Sequence, residues 1–150
     1  MQLTLYTDYS LRVLLYLGLN ARRMATITDI ADSYRISRNH LVKVVHNLAI
    51  QGYVHTTRGR GGGLSLARAP SAINVGDVVR HTEVNFHLVE CFDRESNTCP
   101  IATACILKDV LYEAQKAFMA VLDRYTLADI LENKDWLRNV LKVPEPDDAQ

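Results

Sequence analysis

The stretch "SRNHLVKVVHNLAI", residues 37–50, constrains the fold more than any other part of the chain. Leu41, Val44, Val45 and Leu48 stand at i, i+3, i+4 and i+7, an apolar stripe that needs a core beneath it. The other faces carry Arg38, Asn39, His40, Lys43, His46 and Asn47, residue types that hydrogen-bond to base edges and phosphates. Upstream, Thr28 reads as the cap of a short helix, "DIADSY", "RIS" as a turn, and Ser37 as the cap of the basic helix. Two short helices joined by a tight turn, the second basic on its outer side, predict a helix-turn-helix.

After Gly52, "YVHTTR" and "LSLA" predict two short strands joined by "GRGGG", with Leu64 and Leu66 alternating as in a half-buried strand. Arg58 and Arg60 flank glycines that let the backbone turn sharply and approach a phosphate chain or a minor groove. The hairpin therefore reads as a wing. It lacks the spacing and terminal Lys-Ser/Thr pair of a nucleotide phosphate loop.

Charge supports the same face. The 150 residues carry a formal net charge of zero, yet no acidic residue falls between Asp32 and Asp77, where Arg35, Arg38, Lys43, Arg58, Arg60 and Arg68 lie. A basic block in a neutral chain suits a polyanion. A solvated face answered by carboxylates from elsewhere in the fold is the plainer reading of charge alone.

The flanks read as helices. The first covers about Leu5 to Leu19 and ends near Asn20; Asn74 caps "VGDVVRHTE". A long helix from about Thr103 sets Leu107, Leu111, Ala114, Phe118, Val121 and Tyr125 on one stripe, a face suited to pairing with a second subunit. Thr126 caps "LADILENK", and "DWLRNVLKV" precedes a polar tail that is expected to fray. The fold class is thus mainly α with a small β-hairpin, a winged helix-turn-helix plus a long dimerisation helix. The apolar stretches are too short for a bilayer, and the start lacks the order of a signal peptide, which points to the cytoplasm and away from disulfides and membranes.

Every cysteine falls in "CFDRESNTCPIATAC", with seven residues between Cys91 and Cys99 and five between Cys99 and Cys105. Zinc sites use closer pairs. Three separated thiolates on a flexible loop can instead wrap an iron-sulfur cluster, which then lacks one ligand. Burial of Cys105 as a small hydrophobe and a redox pair, Cys99 with Cys105, stay open beside this, whereas the polar loop "FDRESNT" argues against burial of Cys91. An enzyme using that pair lacks a C-x-x-C motif and a patterned base and acid, so catalysis is not expected.

The segments "MQLTLYTDYSLRVLLYL", "SRNHLVKVVHNL", "RGRGGGLSLA", "INVGDVVR", "LDRYTLADIL" and the three cysteines resemble a family of bacterial winged-helix iron-sulfur repressors, most closely its nitric-oxide sensors. The resemblance spans nearly the whole chain. It implies a homodimer reading palindromic double-stranded operator DNA, with half-sites about 34 Å apart. It also implies one [4Fe-4S] cluster per subunit, with [2Fe-2S] as the alternative, on Cys91, Cys99 and Cys105. Asp8 of "TDY" would be the fourth ligand, supplied by the partner subunit. Read without the resemblance, Asp8 is a helix-start acid spaced to pair with Arg12.

Nitric oxide would then release the operator of nitric-oxide detoxification genes. The gap between Cys91 and Cys99 is longer than in the best-known nitric-oxide sensors, which keeps an iron-responsive repressor as the alternative, and a thiol-redox repressor beside it. The expected DNA contacts are Thr28, Ser37, Arg38, Asn39, His40 and Lys43, with Arg58 and Arg60 in the wing. The expected division is a DNA-binding region over 1–82, a cluster loop over 83–105, dimerisation and C-terminal helices over 106–143, and a tail over 144–150.

Overall fold

The first helix, α1 (Leu5–Leu19), begins because Thr4 stays extended and accepts a hydrogen bond from the Thr7 amide, and it ends at Asn20 as expected. The computed structural model describes residues 2–21 and 23–144, so all of the expected tail but Pro144 lies outside the described residues. Among the described residues no helix is long and apolar enough to cross a membrane.

Next come α2 (Ile27–Tyr34) and α3 (Arg38–Ile50), joined by Arg35, Ile36 and Ser37. Two capping expectations need correction here. Thr26, not Thr28, caps α2: its hydroxyl accepts from the Asp29 amide while the Asp29 carboxylate accepts from the Thr26 amide. A Thr-x-x-Asp pair satisfies two free donors at once, and Thr28 has Ala31, which offers no carboxylate, at the matching position. Thr28 lies inside the first turn. Ser37 occupies the cap position of α3, but its side chain makes no capping bond; its backbone carbonyl takes the His40 and Leu41 amides.

The stripe on α3 is buried as its spacing requires: Leu41 and Leu48 are 0 % exposed, Val44 1 % and Val45 3 %. They pack with Val13, Leu14 and Leu17 of α1, Ile30 of α2, and Tyr53, Val54 and Leu64 of the hairpin. That hairpin pairs β1 (Val54–Thr57) with β2 (Gly63–Leu66) antiparallel, Val54 opposite Leu66 and Thr57 opposite Gly63. Gly59 at φ 97° and Gly61 at φ 79° supply the left-handed backbone of the turn. Leu64 exchanges both backbone bonds with Ala25, at 3.0 and 2.7 Å, tying the wing to the segment before α2.

After the hairpin, α4 (Val75–Thr82) starts at Asn74, whose side chain accepts from the Asp77 amide. The long helix, α5 (Ile106–Leu122), begins three residues later than expected. Residues 100–104 form turns closed by bonds such as Ala104 N to Ile101 O at 3.0 Å, and extended Cys105 at ψ 105° interrupts any continuous helix. The segment after Thr126 is also shorter than expected. It holds only α6 (Leu127–Ile130), which stops at Leu131, whose side chain seats against Gly18 of α1. Finally α7 (Lys134–Leu141) returns to α1, where Arg138 donates from Nε and Nη2 to the Leu19 carbonyl at 3.1 and 2.8 Å. A cation thus satisfies a carbonyl at the negative end of α1.

Candidate nucleic-acid interface and metal centre

The start of α3 and the tip of the wing both present exposed basic side chains. Thr28, Ser37, Arg38, Asn39, His40, Lys43, Arg58 and Arg60 are all exposed. None of the four cations in that set takes part in an ion pair among the described residues. The first turn of α3 has no acid, so its helix dipole adds positive potential to theirs. The apolar stripe fixes which side of α3 faces out. Its position is braced by α1: the Tyr9 and His40 rings lie 6.2 Å apart, and the Tyr6 hydroxyl donates to the Lys43 carbonyl at 3.4 Å.

Arg68, counted with the basic block in the sequence, works elsewhere. Its Nε and Nη2 donate to the Gly52 and Gln51 carbonyls at 2.9 Å each, and its guanidinium lies 4.8 Å from the centre of the Tyr53 ring. It braces the turn from α3 into the wing.

All three cysteines sit between α4 and α5. Cys91 lies in a single 3-10 turn (Glu90–Phe92), the Cys99 amide donates to Asn97 Oδ1 at 3.1 Å, and Cys105 stands at the cap position of α5. Each thiol is free and half-buried. Among the described residues, however, no three His, Cys, Asp or Glu side chains gather where one metal ion could be held. The donor chemistry suits iron and sulfide: three thiols, no disulfide, on a loop whose only regular element is one 3-10 turn. Holding a cluster would require the loop to draw them together.

Two loop carboxylates have partners. Glu90 Oε1 accepts from the Thr98 hydroxyl at 2.7 Å and its amide at 2.5 Å, which holds the Glu90 carboxyl below its usual range. Asp93 accepts from the Ser96 hydroxyl at 2.7 Å and the Glu95 amide at 3.0 Å, with the same effect on its carboxyl. The loop leans on α5 through Phe92, edge-on to Tyr112 at 6.0 Å, and through the Phe86 carbonyl, which accepts from Gln115.

Asp8 projects from the first turn of α1, 39 % exposed, and receives Arg12 Nε at 3.0 Å and Nη2 at 2.8 Å. The Arg12 guanidinium also lies 5.9 Å from the Tyr9 ring and 5.7 Å from that of Tyr34, whose phenol burial pushes up to about 12. The spacing of Asp8 and Arg12 therefore forms the ion pair that the sequence suggested. Sequence reasoning missed Thr4, Arg80, Asp123 and Arg138. Of these, only Thr4 left a local signal, a threonine just before the first apolar turn.

A family model described as Rrf2, iron-dependent transcriptional regulator, matches residues 3–133. The HTH-type transcriptional regulator NsrR of Bacillus licheniformis is 54 % identical over 142 residues, covering 94 % of this chain and 99 % of that protein. NsrR of Bacillus subtilis is 51 % identical over 146 residues, covering 97 % and 100 %. Among solved structures, T. potens IscR aligns with a TM-score of 0.72 at 25 % identity over 92 % of this chain and 91 % of that one. CymR, the global cysteine regulator of B. subtilis, aligns at 0.68 and 24 % identity over 87 % and 95 %. The named relatives are regulators of transcription, in keeping with a DNA-binding protein rather than an enzyme. With its winged helix-turn-helix and a match over most of its length, the chain belongs to the Rrf2 family of iron-dependent transcriptional regulators.

Proposed function

We propose that this regulator is a cytoplasmic homodimeric repressor that senses nitric oxide through one [4Fe-4S] cluster per subunit and then releases a palindromic operator. The observation that carries the reading is the pairing of three free thiols on one loop with an adjoining helix, α5, several of whose apolar side chains stay exposed in the single chain. Leu107 is 63 % exposed and Val110 54 %. A long apolar helix at one end of a winged helix is what a second copy would cover.

In this reading Cys91, Cys99 and Cys105 hold the cluster, with Asp8 of the partner subunit as fourth ligand. When bound, the cluster supplies iron that reacts with nitric oxide. The ion pair of Asp8 with Arg12 and the ligand role can coexist: the Arg12 guanidinium, which lies against the Tyr9 and Tyr34 rings, would orient the carboxylate. The Arg38–Lys43 face of α3 enters the major groove, while Arg58 and Arg60 follow the backbone or minor groove. A switch needs unequal affinity for two states, and a hundredfold difference in operator affinity corresponds to about 2.8 kcal/mol.

Native mass spectrometry of protein purified without oxygen, before and after nitric oxide, tests the reading. A dimer with two [4Fe-4S] masses that convert to nitrosylated species is expected; a metal-free dimer from iron-replete, oxygen-free cells rejects it. Cys99→Ala should yield a dimer with no cluster and poor specific binding.

The seven-residue gap between Cys91 and Cys99, with the family's iron-dependent description, favours a second reading in which iron supply is the signal. Operator release on mild chelation, with no response to nitric oxide, would select it.

A further inference from the structure

The two ends of α5 are held in different ways. Its C-terminal end is clamped to α4. Asp123, the residue that ends α5, receives Arg80 Nη1 and Nη2 on its two carboxylate oxygens at 2.7 and 2.6 Å, and its carbonyl accepts from Asn74 Nδ2 at 2.7 Å. Arg80 also meets Asp77 at 3.2 Å. The backbones join as well, Val75 N to Tyr125 O at 2.9 Å and Leu127 N to Ile73 O at 2.8 Å.

Gly76 completes the clamp. A Cβ there would lie 1.9 Å from Asp123 Oδ1, so the carboxylate rests directly on the α4 backbone and no other residue fits without displacing it. The guanidinium in turn holds the Asp123 carboxyl below its usual range.

The rest of α5 has no such fixture. Ile106, Leu107 and Val110 are exposed, and the contacts of Tyr112 and Gln115 run to Phe92 and Phe86 of the cysteine loop. That loop begins where α4 ends, at Glu83, which accepts from the Thr4 amide at 2.7 Å and hydroxyl at 3.1 Å at the start of α1. So α4, the loop and α5 form a closed path with one rigid corner and one deformable side.

We propose that the Asp123–Arg80–Gly76 junction is the pivot through which the state of the cysteine loop reaches the recognition helices. Drawing the three thiols together shortens the deformable side, and α5 then swings about its clamped end. With 17 residues, α5 is about 25 Å long, so a swing of about 10° moves its start by about 4 Å. Because α5 is the element a second copy would cover, that displacement changes the spacing of the two recognition helices. Asp123 and Arg80 are positioning residues that bind neither cluster nor DNA. This inference rests on the proposed function.

The test compares operator affinity of cluster-loaded and cluster-free protein for wild type, Asp123→Asn and the exchanged pair Arg80→Asp with Asp123→Arg. Iron per chain, dimer mass, and hydrogen exchange at the Val75 and Leu127 amides in cluster-free protein are followed in parallel. Asp123→Asn should keep cluster and dimer, exchange those amides faster, and lower the loaded-to-free affinity ratio at least tenfold; the exchanged pair should restore it. An unchanged ratio in a loaded, dimeric Asp123→Asn protein overturns the pivot alone. Loss of cluster, dimer and DNA binding together would reduce the junction to a brace and also overturn it. A wild-type ratio near one removes the proposed function, and the pivot with it.

Discussion

The two helices on either side of the cysteine loop treat their apolar residues in opposite ways. The first, α4, buries five of its eight residues, Val75, Gly76, Val78, Val79 and Thr82; α5, more than twice as long, buries none among the described residues. Both are amphipathic. The difference teaches where the core of one chain ends: everything up to α4, with α6 and α7 folded back onto α1, closes on itself, whereas α5 carries apolar surface that this chain does not cover.

The largest test of that contrast sets one leucine against another. Leu48→Ala, at a position 0 % exposed, should cost about 2–5 kcal/mol in urea unfolding. Leu107→Ala, at 63 % exposure, should cost less than about 1 kcal/mol at protein concentrations low enough to dissociate subunits, and more as concentration rises. Equal costs at every concentration would break the comparison.

A second test attacks the uncovered face itself. Leu107→Glu with Val110→Glu should weaken subunit association at least a hundredfold by sedimentation, an effect of about 2.8 kcal/mol, while far-ultraviolet circular dichroism keeps the helical signal. Operator affinity should fall with it, since two half-sites would no longer be read by one particle. An intact dimer would show that another surface joins the copies.

Much of the closed half was legible in the sequence because its signals are local. The stripe Leu41, Val44, Val45 and Leu48 carries its own period, Asn74 and Thr126 cap the helices they were expected to cap, and the glycines at 59 and 61 mark the turn of the wing. Capping failed where two hydroxyls competed. The Thr26 and Thr28 hydroxyls are equally good acceptors for a cap, and the choice is made by which one finds Asp29 three residues on. The clamp between α4 and α5 was not legible, because Arg80 and Asp123 are 43 residues apart and neither stands in a motif that names its partner. Nor could spacing alone bring the three thiols together, and the single chain leaves them apart.

The capping choice is itself measurable. Thr26→Ala should cost about 1 kcal/mol of stability, whereas Thr28→Ala should stay within about 0.5 kcal/mol. If Thr28 contacts the operator, its alanine variant will weaken binding with the midpoint of unfolding unchanged. A stability loss at Thr28 as large as that at Thr26 would undo the reassignment of the cap.

The smallest effect concerns the turn between α2 and α3, in the half that closes on itself. Arg35 sits there at φ 54°, left-handed backbone that costs an L-residue about 1–2 kcal/mol. Its amide still reaches the Ala31 and Asp32 carbonyls, so the conformation is dictated by the need to end α2 and turn into α3. Glycine would adopt it without strain but loses about 0.5–1 kcal/mol through greater freedom in the unfolded chain. Arg35→Gly should therefore raise stability by about 0.5 kcal/mol, visible as a small upward shift in the urea midpoint with an unchanged slope. Operator affinity should barely move, because Arg35 precedes the exposed face of α3 that begins at Arg38. A loss of stability instead would mean that the arginine side chain holds the turn, and that the strain is offset by contacts of its own.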